Sequence, residues 1–138
     1  MIFFTDECFP INAARMLSHF EQDHEVRAYL DHFDSGTQDT DWMRVLASWN
    51  ENQTTVVVSG DGRILKNSVE KHVLKECGLT FVHLVSGWTH LKWQDYGWKI
   101  VKVWPDIVRN VVEARYPMLF EVMVGSLKVR PIGRITDL

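Results

Sequence analysis

The sequence predicts an α/β fold in which helices cover both faces of a mainly parallel β-sheet. Strand-like and helix-like patterns alternate four times between residues 1 and 90, and the connections between them are short. Short connections through a helix give right-handed crossovers, so neighbouring strands run parallel. The chain of 138 residues, 46% of them hydrophobic, is long enough for one domain with a substantial core. We therefore expect a single three-layer α/β/α domain over 1–138, with a core over 1–90 and C-terminal helices and a β-hairpin over 91–138.

Each element of this core has its own signal. Apolar residues recur at helical spacing after Pro10, whose missing N–H is harmless in a first helical turn. The β-branched run TTVVVS is the clearest strand pattern. Asn67 or Ser68 can cap the helix that follows it, and Gly78 can end that helix. The predicted elements are a strand over 1–5, a helix from Pro10, a strand over 24–30, a polar loop over 30–41, a helix from Asp39 or Thr40 to about Asn50, a strand and turn over 54–62, a helix over 69–77 and a strand over 79–85.

The last third of the chain has a mixed pattern. Residues 90–114 show helical spacing, but Gly97 and Pro105 interrupt it, which predicts two helices or one kinked helix. Residues 119–132 predict a hairpin with a type I′ or II′ turn at Gly125-Ser126. Because a two-stranded unit needs something to pack against, we expect the hairpin or the preceding helical stretch to form a surface for self-association or for a protein partner. Tryptophans at helical spacing are expected in the core: Trp42, Trp49, Trp93, Trp98 and Trp104.

Charge is distributed unevenly along the chain. Residues 1–61 carry 11 Asp and Glu against 3 Lys and Arg, whereas residues 62–138 carry 7 against 12. This asymmetry fits an acidic pocket beside a basic surface that receives an anion, and it also fits solvated faces of uneven composition. The chain has no long apolar run and its start lacks a signal-peptide pattern, so we expect a soluble cytoplasmic protein without a membrane partner. Cys8 and Cys77 show no ligand or disulfide spacing and are expected as free thiols.

Acidic residues lie where predicted strands end. Asp6 and Glu7 follow the first strand, Asp61 follows the TTVVVS strand, and Asp39 and Asp41 begin the second helix. Ligands of parallel α/β sheets bind at the carboxyl ends of the strands. Carboxylates that converge there repel one another unless protonation or a divalent cation neutralises them, and oxygen ligands favour Mg²⁺ or Mn²⁺ over Zn²⁺. The alternative is that each Asp merely caps a turn, since SGDG is an ordinary turn sequence.

Three segments, FFTDECFP, TQDTDWMRVLA and TTVVVSGDGRIL, resemble the PIN-like family in its compact bacterial form. In that family Asp-Glu-x-x-Pro follows the first strand, an acid opens a central helix, and Ser/Thr-x-Asp ends a later strand. The resemblance covers roughly residues 1–90. The stretch VWPDIV, followed by a hairpin, resembles the toxin-type members found in bacterial toxin–antitoxin pairs.

The resemblance implies a role for each acid and a reaction. Asp6 and Asp61 would bind the metal, either Asp39 or Asp41 would be the helix-borne acid, and Ser59 would be the hydroxyl that supports them. The implied reaction is Mg²⁺- or Mn²⁺-dependent hydrolysis of RNA phosphodiester bonds, in which the cation activates water and stabilises charge on the phosphoryl oxygens. The implied partners are an RNA substrate, a protein antitoxin and a second copy of the chain in a homodimer.

Two further details bear on that site. Glu7, next to Asp6, is expected to hold the metal-binding acids in position without binding the metal itself. The family often has another acid after its fourth strand, where this chain has VSGWTH, and Asp95 on the next helix could replace it. The missing acid also leaves open a binding protein of the same fold without catalysis. A receiver-like signalling domain is disfavoured, because no Lys is suitably placed after a late strand.

Three residues are candidates for substrate binding. Arg63 and Lys66 follow Asp61 and could contact a phosphate, although exposed basic residues beside a turn are usually only solvated. Trp88 follows a strand end and could stack on a base. The six histidines show no zinc-ligand spacing, so surface or core positions are expected for them.

Overall fold

The computed structural model describes residues 1–138, which form six strands and four α-helices. The strands are β1 (Ile2–Thr5), β2 (Glu25–Ala28), β3 (Thr55–Ser59), β4 (Thr80–Leu84), β5 (Met118–Val122) and β6 (Val129–Arg134). The α-helices are α1 (Ile11–Phe20), α2 (Asp39–Asn52), α3 (Ser68–Cys77) and α4 (Trp93–Glu113). Short 3₁₀ turns occupy Tyr29–Asp31, Gly62–Leu65, Ser86–His90 and Ile135–Asp137.

All six strands belong to one sheet with the order β2-β1-β3-β4-β5-β6. The first five strands in this order run parallel, and β6 runs antiparallel to β5. Successive residues face opposite sides, so Phe3 packs in the core beneath α1 and α4 while Phe4 packs in the core beneath α2 and α3. The three-layer α/β/α architecture predicted from the sequence is confirmed.

Local sequence signals explain the ends of α3 and the continuity of α4. The Asn67 side chain accepts hydrogen bonds from the backbone N–H groups of Val69 and Glu70, both at 3.0 Å, and Gly78 ends the helix with a φ of 63°. In contrast, α4 is one helix of 21 residues that contains both Gly97 and Pro105. A long buried face compensates for the hydrogen bond that Pro105 removes. That face consists of Tyr96, Gly97, Ile100, Val103, Trp104, Ile107 and Val111.

The C-terminal hairpin is part of the central sheet. Strand β5 pairs in parallel with β4, and β6 contacts α4, so the hairpin already has packing partners within the chain. The expectation that it needs another molecule to pack against therefore loses its basis. The predicted two-residue turn at Gly125-Ser126 is wrong: Val122 pairs with Val129, and the connection is closed by a bond from Met123 N to Lys128 O at 2.9 Å. Leu127, at φ 53°, adopts the left-handed conformation in this turn.

Two of the tryptophans expected in the core lie on the surface. Trp42 and Trp104 are buried, but Trp93 is 42% exposed and Trp98 is 52% exposed. Trp93 lies on the first turn of α4, beyond the carboxyl edge of the sheet, and Trp98 faces away from the buried side of this helix. Helical spacing therefore identified the helix correctly but assigned these two rings to the wrong environment. No helix combines the length and apolarity that a membrane crossing requires.

Candidate active site

Asp6 directly follows β1 and is the most buried acid of the site, with 5% of the residue exposed. Its Oδ2 accepts a hydrogen bond from the Ser59 hydroxyl, whereas its Oδ1 is buried without any hydrogen-bond partner. Burial, together with the nearby charges of Asp61 and Asp39, raises the pKa of Asp6 to about 7. The chain thus holds a carboxyl group at the sheet edge and supplies no cation to it.

Ser59, at the end of β3, connects Asp6 and Asp61, the two acids that follow β1 and β3. Its hydroxyl donates to Asp6 and accepts from the backbone N–H of Asp61 at 2.9 Å. This position is available because β1 and β3 are neighbours in the sheet, with Thr5 opposite Val58. One hydroxyl therefore fixes the Asp6 carboxyl and the start of the loop that carries Asp61.

The Asp61 side chain is occupied by Arg63. Arg63 donates from Nε to Oδ1 at 2.9 Å and from Nη2 to Oδ2 at 3.0 Å, and its backbone N–H also donates to Oδ1 at 2.9 Å. Burial acts to raise the pKa of Asp61, but the bonds and charge of Arg63 outweigh it and lower this pKa. The Arg63 side chain is 83% exposed, so the guanidinium covers Asp61 from the solvent side and is not fixed by packing.

Asp39, at the start of α2, is the acid of this helix whose charge affects the pKa of Asp6. Its charge contributes to the raised pKa of Asp6, and its Oδ1 accepts from Nε1 of Trp42 at 2.9 Å. Asp41, two residues further along the helix, is exposed to solvent. Of the two candidates for the helix-borne acid, the structure brings Asp39 toward the other acids.

Glu70 is a further acid that the sequence analysis missed. It lines the same depression as Asp39, and its pKa is raised by burial and by the charges of Asp39 and Asp61. The signal in the sequence is the Asn67 cap. Because a helix that follows a parallel strand begins at the carboxyl edge of the sheet, an acid in the first turn after that cap faces the same edge as Asp61.

His83 is a second residue that sequence reasoning did not single out. It lies in β4 directly beside Ser59 of β3 and Glu121 of β5. Its Nδ1 is buried without a hydrogen-bond partner, and its ring lies 3.3 Å from the position that a Cβ on Gly62 would occupy. Burial lowers the pKa of His83 more than the charges of Glu121 and Asp61 raise it, which favours a neutral imidazole near the acids.

Two predicted site residues serve other purposes. Glu7 is exposed and accepts hydrogen bonds from the Ser35 hydroxyl and, at 3.1 Å, from the backbone N–H of Gly36. It fastens the loop before α2 and does not support Asp6. Trp88 is 1% exposed, and its Nε1 donates to the carbonyl of Val122 at 3.1 Å, so it is a core residue with almost no surface open to a base.

The remaining candidates are exposed. Lys66 lies beside the 3₁₀ turn Gly62–Leu65 and forms no ion pair, and Asp95 is exposed on the first turn of α4.

No group of three or more His, Cys, Asp or Glu side chains stands close enough to form a complete metal site. The partnerless oxygen of Asp6 and a purely carboxylate donor set nevertheless suit a hard cation. Mg²⁺ keeps several waters and is usually bound by only one or two carboxylates.

Two adjoining clefts lie near Asp6. One has a volume of about 230 Å³ and is lined by Asp6, Glu7 and the start of α1. The other has a volume of about 290 Å³ and extends toward α4. The two clefts share Cys8 and Pro10, whereas Asp39 and Glu70 line a separate depression.

The fold and this site define a class of protein: a three-layer α/β/α domain with clustered acids at the carboxyl edge of its parallel sheet. A family model described as "PIN like domain" matches residues 1–86. The chain therefore belongs to the PIN-like domain family, part of a superfamily that generally contains nucleases. No curated protein and no solved structure matches the chain.

Proposed function

We propose that this protein is a Mg²⁺- or Mn²⁺-dependent endoribonuclease. The observation that carries the proposal is the state of Asp6: a buried carboxyl with one partnerless oxygen, joined to Asp61 through Ser59. An ionised carboxylate without a counter-charge is costly inside a protein. A cation bound beside Asp6 would remove that cost, and this supports a metal site at Asp6.

Each residue has a distinct task in this proposal. Asp6 and Asp61 would bind the cation. Ser59 holds the Asp6 carboxyl and the backbone of Asp61 in place. Asp39 and Glu70 add negative charge that attracts a divalent cation. The cation, when bound, would activate a water molecule and stabilise charge on the phosphoryl oxygens.

Arg63 pairs with Asp61 in the structure, and we expect it to pair with the RNA when the substrate binds. A guanidinium pairs equally well with a carboxylate and with a phosphate, because both offer two oxygens in matching geometry. Since its side chain is 83% exposed, Arg63 can leave Asp61 without disturbing the core. We expect it to contact a phosphate of the RNA once a cation takes its place at Asp61.

The test measures cleavage of an end-labelled single-stranded RNA with Mn²⁺, with Mg²⁺ and with a chelator. Loss of a residue that only supports a metal ligand typically costs 10- to 100-fold, so Asp6→Asn and Asp61→Asn should each reduce cleavage by roughly a hundredfold or more. Asp41→Asn is the matched control, because this acid is exposed, and it should cleave like the wild type. Equal cleavage by the wild type and both site variants would reject the proposal.

A binding protein of the same fold without catalysis is the second candidate. It is favoured by the lack of a ready-made cluster of three ligands. Calorimetry separates the two functions: Mn²⁺ binding that Asp6→Asn abolishes supports the nuclease, and no heat of Mn²⁺ binding in the wild type supports the alternative.

More specifically, we propose that the nuclease is the toxin of a toxin–antitoxin pair. The support is the resemblance of VWPDIV and the hairpin to toxin-type PIN-like proteins. The expected result is growth arrest when the protein is expressed in bacteria, and normal growth with Asp6→Asn at equal protein levels. Normal growth with the wild type would contradict the toxin role while leaving RNA cleavage as a separate measurement.

A further inference from the structure

The cleft on the α4 side of the acids has the composition of a binding site. Its volume of about 290 Å³ is close to the lower limit of typical small-molecule pockets. Most of its lining is apolar or aromatic, including Leu91, Trp93 and Tyr96. Cys8 connects it to the cleft that contains Asp6, and Gly60, which precedes Asp61, forms part of its wall. A ligand in this cleft would therefore adjoin the cleft that contains Asp6.

Trp93 supplies an aromatic surface at this cleft. It lines the cleft while 42% of the residue remains exposed. Its indole lies against its own helix, with Cζ2 and Cη2 at 3.9 and 4.0 Å from the position that a Cβ on Gly97 would occupy. The ring is thus supported from one side and accessible from another, as a stacking partner for a flat ring must be.

Tyr96 supplies a polar group at the same place. The residue is 6% exposed, and its ring packs edge-on against Phe9 and Trp88 at 5.8 and 5.3 Å between ring centroids. Its hydroxyl forms no hydrogen bond within the chain, and the residue lines the cleft, so this polar group is available to a ligand there. Burial and the charge of Asp6 raise the pKa of Tyr96, so the hydroxyl keeps its proton as a donor.

Two basic residues lie close in the sequence to residues that line the cleft. Lys92, immediately before Trp93, is exposed and takes part in none of the ion pairs of the chain. Arg63 is exposed on the side of Asp61. Cations that follow a phosphate backbone, combined with an aromatic ring on which a base can stack, are the usual elements of single-strand recognition.

We propose that this cleft binds one nucleobase of a single-stranded RNA, which stacks on Trp93 and accepts a hydrogen bond from the Tyr96 hydroxyl. Only an unpaired base can leave its neighbours to enter such a cleft, so duplex RNA is excluded. The inference rests on the proposed function for the reaction at the adjoining phosphate, while the binding of the base can be measured without any cleavage.

The experiment measures fluorescence anisotropy of a labelled RNA octamer and of an abasic ribose-phosphate chain of the same length with the same label. All proteins carry Asp6→Asn, and Mg²⁺ is present throughout. Trp93→Ala should raise the Kd for RNA about tenfold, within the range expected for one stacked base, and should change the Kd for the abasic chain less than about twofold. Trp93→Phe, which keeps an aromatic face, should stay within about threefold of the parent protein. Tyr96→Phe should weaken RNA binding about threefold.

Trp98→Ala is the matched control, because Trp98 is 52% exposed on the same helix but does not line the cleft. It should leave both Kd values within about twofold of the parent protein. Circular dichroism melting of each variant checks that the fold is retained.

Several outcomes would overturn the inference: no measurable RNA binding, an unchanged Kd in Trp93→Ala, equal losses for RNA and the abasic chain, or an equal loss in Trp98→Ala. Loss of a dimer in Trp93→Ala by sedimentation would also overturn it, because the cleft would then hold a second copy of the chain. Failure of the base site leaves the effect of Asp6→Asn on cleavage unchanged. Failure of the nuclease proposal leaves the difference between RNA and the abasic chain unchanged.

Discussion

Replacing Asp6 by Asn should stabilise the protein increasingly as the pH rises. The carboxyl would release its proton at its ordinary pKa of 3.8 in the unfolded chain and at about 7 in the folded chain. Between these values the folded protein binds more protons than the unfolded chain, so the free energy of unfolding falls as the pH rises. At about 1.4 kcal/mol for each tenfold change in ionisation constant, the cost is about 2 kcal/mol at pH 5 and about 4 kcal/mol at pH 8.

The asparagine variant lacks this cost, because its side chain does not ionise. An unsatisfied amide can lower its stability by about 1–3 kcal/mol, but this loss does not vary with pH. The stability of Asp6→Asn relative to the wild type should therefore increase by about 2–3 kcal/mol between pH 5 and pH 8.

Urea unfolding of both proteins at pH 5, 6, 7 and 8 measures this difference, and Asp41→Asn provides the comparison with an exposed acid. Saturating Mn²⁺ should reduce the pH dependence of the wild type alone, since a cation beside Asp6 stabilises its ionised form. A difference between wild type and Asp6→Asn that stays constant from pH 5 to pH 8 would show that Asp6 is not destabilised by burial and neighbouring charge, and the central observation of the functional proposal would be lost.

Three further predictions concern the surroundings of the site. Gly87→Ala should destabilise the protein by about 1–3 kcal/mol in urea unfolding, because a Cβ there would lie 2.5 Å from a neighbouring side chain, whereas Gly125→Ala, with nothing within 4 Å, should be tolerated. Burial and the nearby carboxylates raise the pKa of Cys8 to about 11, so iodoacetamide should alkylate it slowly at pH 8 and faster in Asp6→Asn, as peptide mapping would show. Glu70→Gln removes one charge near the acids and should weaken Mn²⁺ binding roughly threefold to tenfold in calorimetry; unchanged affinity would exclude Glu70 from the site.

The fold was predictable where local signals and long-range packing agree. The Asn67 cap and the Gly78 stop are local, and both appear in the structure as predicted. The hairpin turn was not predictable in the same way, because its register follows from the pairing of β5 with β4 and of Val122 with Val129. Gly125 and Ser126 have the composition of a tight turn, but the strands end before reaching them.

The acidic site was predictable as far as sheet topology determines it. The predicted parallel sheet brings Asp6, Ser59 and Asp61 to one carboxyl edge, and the structure shows that their strands are neighbours and connects the three residues by hydrogen bonds. To predict that Glu70 belongs to the site, one must know how α3 approaches the acids. To predict the same of His83, one must know which side of β4 the 3₁₀ turn Gly62–Leu65 covers. Neither property is encoded in spacing alone.

The environments of two tryptophans are the reverse of those predicted from the sequence. Trp88 is adjacent to a glycine at a strand end, which suggested exposure, but its indole enters the core and donates to Val122. Trp93 has helical spacing, which suggested burial, but it lies where α4 extends past the sheet. Burial is a property of the packed molecule, so the sequence could indicate an aromatic residue near the acids without identifying which ring is accessible.

The two central acids differ in a way that decides how a cation could enter. Asp61 already has a counter-charge in Arg63, whose guanidinium contacts both carboxylate oxygens although it is 83% exposed. Asp6 has no counter-charge and is 5% exposed, so its ionised form is destabilised. A divalent cation would therefore gain most of its binding energy at Asp6, whereas at Asp61 it would have to displace Arg63. The displaced guanidinium would then be free beside the acids, where a phosphate of the substrate needs a cationic partner.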